Sequence, residues 1–367
     1  MIIKYISNYR DGTGWSKAGI NNMLALDNAG VKVIPSLVRY QDRNDLNSIP
    51  YRIEELEKEN AGINKYDVVI QHVLPINYTY ESNDIKQIGF FEMETLSLEN
   101  TFWIKKMKLM DSVGVANRIS RISLSKYNIK TSILPHFFDF DSVFNSKQVV
   151  NIQELNNSFN FLFVGEMIKR KNIEVLLQAF HSEFENHENV NLVIKTNNPS
   201  VNNFCLDVKK RLKLKLKYKN EIIITQRLTD EQLYSVMRQC HVGIMPSYGE
   251  AWSYGIIEGM TLGLPAIYTD GIGIEDYCND SCGFAVKSRD VNCYAATDTF
   301  KDLYTGKDTW KEIDLIDLRY KMRKIFEMYK NNPNQYIDMQ KSSIDSAAKF
   351  DYKKSNEYVN KFLEEIK

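Results

Sequence analysis

The stretch from Met245 to Asp270, MPSYGEAWSYGIIEGMTLGLPAIYTD, constrains this chain more than any other. It places Glu250 and Glu258 eight positions apart, among Gly249, Gly255, Gly259 and Gly263. Eight residues is slightly more than two helical turns, so on a single helix the two carboxylates would share a face. Gly249 and Gly255 are poor helix-interior residues, which moves Glu250 onto the loop entering the helix and leaves Glu258 on its first turns. A helix N-terminus then lies between the two acids. Its backbone N–H groups attract phosphate, and fixed carboxylates accept hydrogen bonds from sugar hydroxyls. A nucleotide sugar carries both features.

The rest of the chain supplies the frame for such a site. Ile2 to Ser7 reads as a strand, followed by a loop from Asn8 to Ser16 and a helix to about Ala29, with Ser16 available as its cap. Val31 to Pro35, Tyr66 to Gln71, Ile88 to Phe91, Asp111 to Val115 and Ile133 to Leu134 continue the strands. The polar stretch Asn145 to Asn160 is the best boundary, because a fresh strand, turn and helix begin at FNFLFVGEMIKRKNIEVLLQAF. Further strands are expected at Val190 to Thr196, Ile222 to Thr225, Val242 to Pro246, Ala266 to Tyr268 and Gly283 to Val286. Asp230 to Arg238 has helical periodicity behind a capping Thr229, and Asp317 to Asn331 and Asn334 to Lys349 read as closing helices. Strands alternating with helices argue for an α/β fold with parallel sheets covered on both faces.

Bulk properties narrow the function. At 367 residues the chain exceeds one ordinary hydrophobic core, so two domains are expected. Lys plus Arg equals Asp plus Glu at 47 each, which leaves no global field for nucleic acid. The five cysteines form no even disulfide framework and read as reduced thiols, which points to the cytoplasm. Cys278, Cys282 and Cys293 lack clustered histidines to complete a zinc set, so no metal is expected. MIIKYISNY reads as a strand rather than a leader, and no apolar run is long enough to span a bilayer.

Taken together, Pro246-Ser247 ahead of Gly249-Glu250, the seven-residue interval to Glu258, Gly263-Leu264-Pro265 and Thr269-Asp270-Gly271 resemble the signature of retaining glycosyltransferase family four, the glycosyl transferases group 1. The resemblance implies the GT-B architecture: two Rossmann-like domains facing across a cleft, with a C-terminal helix crossing back to the N-terminal domain. The domains would be residues 1–150 on the acceptor side and 151–349 on the nucleotide-sugar side, with 350–367 as the returning helix. It also implies a metal-independent reaction with no cofactor, in which a hexose passes from a nucleoside diphosphate sugar to a saccharide or lipid-linked acceptor.

On that resemblance Glu250 holds sugar hydroxyls, and Glu258 binds the ribose. Lys171, with Arg170 beside it, stabilises the departing diphosphate, helped by backbone N–H groups near Ser253, Tyr254 and Gly255. Fixed cations suit that task where no metal neutralises the leaving group. Gly165 opens this segment, but Glu166 stands where the family often has Arg, and Asn172 where it often has Gly. The loop holding Gly12 and Gly14 aligns with the one that approaches the donor phosphates from the N-terminal domain. His72, Glu92 and Glu94 fall on the acceptor side; the two acids could equally cap the next helix, and His136 reads as structural. The segment GFFEMETLS loosely resembles mannosyl-transferring members, so GDP-mannose stands beside UDP-sugars as donor. Lys213 to Lys219 (KLKLKYK) reads first as a solvated surface element and second as a peripheral contact with an anionic membrane. The rival functions are an epimerase or phosphorylase of the same architecture, and a nucleotide-sugar-binding protein without transferase activity.

Overall fold

The computed structural model describes residues 1–40, 48–212, 221–294, 296 and 303–367. The basic segment Lys213 to Lys219 lies outside the described residues. The chain divides into two compact units, residues 1–140 with 349–367 and residues 141–348.

In the first unit the elements run β1 (Ile2–Ser7), α1 (Gly14–Asn28), β2 (Lys32–Leu37), α2 (Tyr51–Glu59), β3 (Val68–His72), β4 (Lys86–Phe90), α3 (Thr101–Met107), β5 (Ser112–Val115), α4 (Arg118–Ser125) and β6 (Thr131–Ile133). The strands form one sheet in the order β2-β1-β3-β4-β5-β6, with every pair parallel. All five β3 residues are buried, as a central parallel strand covered on both faces requires. Helix α1 begins two residues before Ser16, and its cap is Thr13, whose hydroxyl accepts from the Ser16 N–H at 3.2 Å. Ser16 is therefore the donor in that cap and not the capping residue. Thr13 is itself held by Asp11, which takes its N–H at 3.0 Å and its hydroxyl at 2.7 Å.

The second unit begins around α5 (Phe140–Phe144) and continues through β7 (Phe159–Val164), α6 (Ile173–Glu183), β8 (Val190–Lys195), α7 (Val201–Leu212), β9 (Ile222–Ile224), α8 (Asp230–Met237), β10 (Val242–Met245), α9 (Tyr254–Thr261), β11 (Ala266–Thr269) and β12 (Gly283–Val286). These strands make a second six-stranded parallel sheet, β12-β11-β10-β7-β8-β9. The order reverses at β7: the chain moves outward through β8 and β9, then returns to place β10 on the other side. Such a switch point leaves a crevice at the carboxyl ends of the central strands, where open α/β sheets bind ligands. An antiparallel pair, β13 (Ser288–Asn292) and β14 (Thr309–Ile313), has no counterpart in the sequence reading. Its polar SRDVN strand lacks an apolar run, and Trp310, which it pairs across, stacks on Tyr248 with ring centroids 4.5 Å apart.

Helices α10 (Leu315–Asn331) and α11 (Pro333–Ala347) close the second unit, and α12 (Asn356–Ile366) belongs to the first. Its apolar face places Val359, Phe362 and Ile366 in the same buried cluster as Met23, Leu26, Ile3 and Phe137. Phe138 and Asp351 form a parallel bridge at the return point. Two Rossmann-like α/β units with parallel six-stranded sheets constitute the GT-B fold class.

Candidate active site

Strand β7 ends at Val164, and Gly165 N–H donates to the Lys195 carbonyl at 3.0 Å. A side chain at Gly165 would press its Cβ to 3.0 Å from the Phe163 ring, so the turn is tight. Lys169, Arg170 and Lys171 then make one 3-10 turn that ends on Asn172 at φ 51 and ψ 39. This is the left-handed region, which Gly and Asn enter at least cost. The structure thus explains why Asn stands at that position: it meets the backbone need that glycine meets elsewhere.

Strand β10 delivers the second half of the site. The loop after it carries Ser247 and Glu250, both buried. Glu250 Oε1 receives Lys171 Nζ at 2.6 Å, Ser247 Oγ at 2.7 Å and Arg170 Nη1 at 2.9 Å. Arg170 Nη1 also donates to the Gly249 carbonyl at 2.7 Å. Oε2 takes no hydrogen bond from the described residues. Burial alone would raise the Glu250 pKa, but the charges of Lys171 and Arg170 outweigh it and hold the carboxyl below its ordinary value. Two cations thus converge on one carboxylate oxygen, and the second oxygen stays open as an acceptor.

The loop enters α9 through Ser253, which has φ 90 and ψ 89, a conformation unfavourable for a residue with a Cβ. Gly255, in the first turn, lets the helix sit against β7: a Cβ there would lie 3.2 Å from Val164 Cβ. Glu258, one turn further along α9, is 2% exposed and accepts from Tyr234 Oη at 3.3 Å. Glu250 and Glu258 accordingly lie on a loop and on a helix.

In the first unit, His72 at the end of β3 places Nε2 2.8 Å from Glu92 Oε1, and His136 Nε2 lies 2.7 Å from the same oxygen. The two imidazoles stack with ring centroids 6.1 Å apart. Tyr5 Oη meets His72 Nδ1 at 2.9 Å, and Asn22 Nδ2 donates to Tyr5 Oη at 3.1 Å. Burial lowers the His72 pKa, with Glu92 pulling the other way. Burial would raise Glu92, but its charge and hydrogen-bond interactions with His136 and His72 bring it down to about 2. His136 is therefore part of the same cluster as His72. Glu94 is half-buried, and neither acid caps α3, whose cap is Asn100. Gly12 has φ 69, and Gly14 starts α1 with open space around it.

Comparison with known proteins decides the class of this site. Residues 146–309, which contain both halves of the Glu250 cluster, match the family model described as glycosyl transferases group 1. Over this segment the chain resembles that family, and the protein is a glycosyltransferase. No curated protein matches the chain. Solved structures match it over nearly its whole length. Sucrose-phosphate synthase from Thermosynechococcus elongatus has a TM-score of 0.66 at 14% identity, covering 99% of this chain and 98% of that one. A glycosyltransferase from Rickettsia africae has a TM-score of 0.65 at 17% identity, covering 100% and 98%. Anabaena HepE, solved in complex with UDP, has a TM-score of 0.66 at 11% identity, covering 99% and 100%. At such identities the likeness shows the two-domain fold.

Within the glycosyltransferase domain, several supporting residues carry no motif signal in the sequence. Gly273 donates its N–H to the Glu250 carbonyl at 2.9 Å and packs so tightly that a Cβ would lie 2.2 Å from the Ala251 carbonyl oxygen. Tyr277 Oη donates toward the Trp252 and Ser253 carbonyls, at 2.7 and 3.1 Å. Thr269 Oγ1 ties β11 to the Ser247 carbonyl at 2.7 Å. Only the Thr269-Asp270 part of this support lies in the opening motif. Among the described residues no group of three or more His, Cys, Asp or Glu is arranged to hold a metal ion. No described helix is long and apolar enough to cross a membrane.

Proposed function

We propose that the chain is a retaining, metal-independent hexosyltransferase that uses a nucleoside diphosphate sugar and a saccharide or lipid-linked acceptor. The observation that carries this reading is the convergence of Lys171, Arg170 and Ser247 on one oxygen of Glu250 at the entrance to α9. Glu250 fixes the two cations with Oε1 and keeps Oε2 for a donor-sugar hydroxyl. Lys171 and Arg170 offset the charge that grows on the diphosphate, together with N–H groups from Ser253 to Gly255. Glu258, nearer the middle of α9, binds the ribose. From the first unit, Gly12 and Gly14 serve the donor phosphates, and His72, Glu92 and Glu94 serve the acceptor.

The acceptor oxygen attacks the anomeric carbon from the face that the diphosphate leaves. The bond to the diphosphate oxygen breaks, the acceptor proton passes to that oxygen, and configuration is kept. A fixed cation pair does the work that a divalent ion would do in neutralising the leaving group. The UDP bound to the similar HepE supports a UDP-sugar, with GDP-mannose as the second candidate.

The test is transfer from UDP- and GDP-sugars to a panel of acceptors, in the presence of excess chelator. Glu250→Ala and Lys171→Ala are expected to stay folded and to lose about 10²-fold or more in kcat, the scale seen when one preorganised charge donor is removed. Strict dependence on an added divalent ion would refute the metal-independent reaction. Release of sugar phosphate with inorganic phosphate, or turnover without an acceptor, would identify a phosphorylase or an epimerase instead.

A further inference from the structure

A second buried cation lies at the ligand-binding edge of the glycosyltransferase domain, and the mechanism above does not use it. Lys195 is the last residue of β8, directly beside the end of β7 in register with Val164. The residue is 6% exposed. Nζ donates to Asn197 Oδ1 at 2.8 Å and to the Thr196 carbonyl at 3.2 Å. Both acceptors are neutral, and among the described residues no carboxylate comes within ion-pair distance of it. Glu166 acts on it only through space, and the Glu166 carboxylate is exposed and held by Asn197 Nδ2 at 3.2 Å.

A buried ammonium with neutral partners loses hydration without a counter-charge in return. Burial accordingly lowers the Lys195 pKa, with Glu166 opposing it. Such a group is retained at a cost to the empty protein unless an anion arrives to complete it. The position says which anion that is. Lys195 sits on the strand adjacent to the switch point, and its own carbonyl holds Gly165, the residue that opens the loop to Arg170 and Lys171. The loops after β7 and β8 also bound a pocket of about 240 Å³, lined by Met167, Ile168 and Lys169 from one and Asn198, Ser200 and Val201 from the other. We propose that Lys195 is a donor-binding residue that contacts the diphosphate of the nucleoside diphosphate sugar from the β8 side. The inference rests on the function proposed above, and it adds a third cation to Arg170 and Lys171.

The experiment is calorimetric titration of the full chain with UDP, GDP and ADP and with the matching nucleosides, alongside thermal unfolding. Lys195→Met is expected to weaken binding of the preferred nucleoside diphosphate at least tenfold, leave the nucleoside unchanged and keep or raise the unfolding midpoint of the empty protein. Lys195→Gln, which keeps a polar head for the Thr196 carbonyl, is expected to show the same affinity loss should the methionine variant fold poorly. Unchanged diphosphate affinity in a folded variant would overturn the proposal. An equal loss for diphosphate and nucleoside would overturn it too, since that marks damage to the pocket rather than a missing phosphate contact. A wild-type chain that binds no nucleoside diphosphate would bring down the proposed function itself, and Lys195's role with it.

Discussion

At the residue scale, two acids each gather their partners on a single carboxylate oxygen. Glu250 gives one oxygen to three donors and keeps the other open, whereas Glu92 brings two imidazoles to one oxygen in a buried cluster. The second arrangement makes the first unit sensitive to acid. The Glu92 pKa is depressed to about 2 from an ordinary 4.5, so its contribution to stability is complete above 4.5 and fades as pH falls toward 2. The His72 pKa is lowered from 6.5, so the fold favours the neutral ring, and that contribution is complete above 6.5 and fades as pH falls. Both effects have the same sign. Urea midpoints are therefore expected to fall steadily on acidification below pH 6.5, and Glu92→Gln is expected to cost stability at pH 7 yet flatten the decline below 4.5. A parallel pH profile for the variant would refute this. Ser253 offers a separate test. Its φ of 90 carries a cost of about 1–3 kcal/mol for a side-chain-bearing residue, so Ser253→Gly is expected to raise the unfolding midpoint.

At the element scale, glycines that look alike in the sequence have different work. Gly273 lies against the Ala251 carbonyl at a distance that no Cβ accepts, so Gly273→Ala must move the backbone that carries Glu250. A loss of about 1–3 kcal/mol with a large fall in transfer rate is expected. Gly14 opens α1 with nothing within 4 Å of a Cβ, so Gly14→Ala is expected to be neutral or stabilising in the same denaturation assay. The N-terminal cap of α8 supplies a control, several residues before the Tyr234 that donates to Glu258. Thr229 and Gln232 form a reciprocal capping box there, and Thr229→Ala is expected to cost about 1 kcal/mol without changing transfer. That box, the strands and most helices are legible because periodicity and capping are local. The β13–β14 pair was not, because its stability comes from Trp310 buried against Tyr248, outside either strand's own pattern.

At the scale of the whole molecule, the last helix matters beyond its length. Phe362 is fully buried in the core of the first unit, among residues from the other end of the chain. Phe362→Ala is expected to cost about 3–5 kcal/mol, and the loss should fall on the first unit's unfolding transition rather than the second's. Equal loss in both transitions, followed by calorimetry, would contradict the division into units.

The sequence by itself determined the α/β class, the alternation that makes two parallel sheets, and the short motif around Glu250 and Glu258. These depend on near neighbours: strand and helix periods, glycines at turns, and residue types suited to phosphate and sugar. Only the tertiary structure decided which groups meet. Lys171 and Glu250 are 79 positions apart, and they are joined because β7 and β10 lie side by side at the switch point. His72 and His136 share Glu92, although the sequence marks only His72 for a role beyond structure. Lys195 carries no motif at all. It stands out only because folding removes water from its ammonium and supplies no carboxylate in exchange, a fact about three-dimensional surroundings that no local pattern of residues contains.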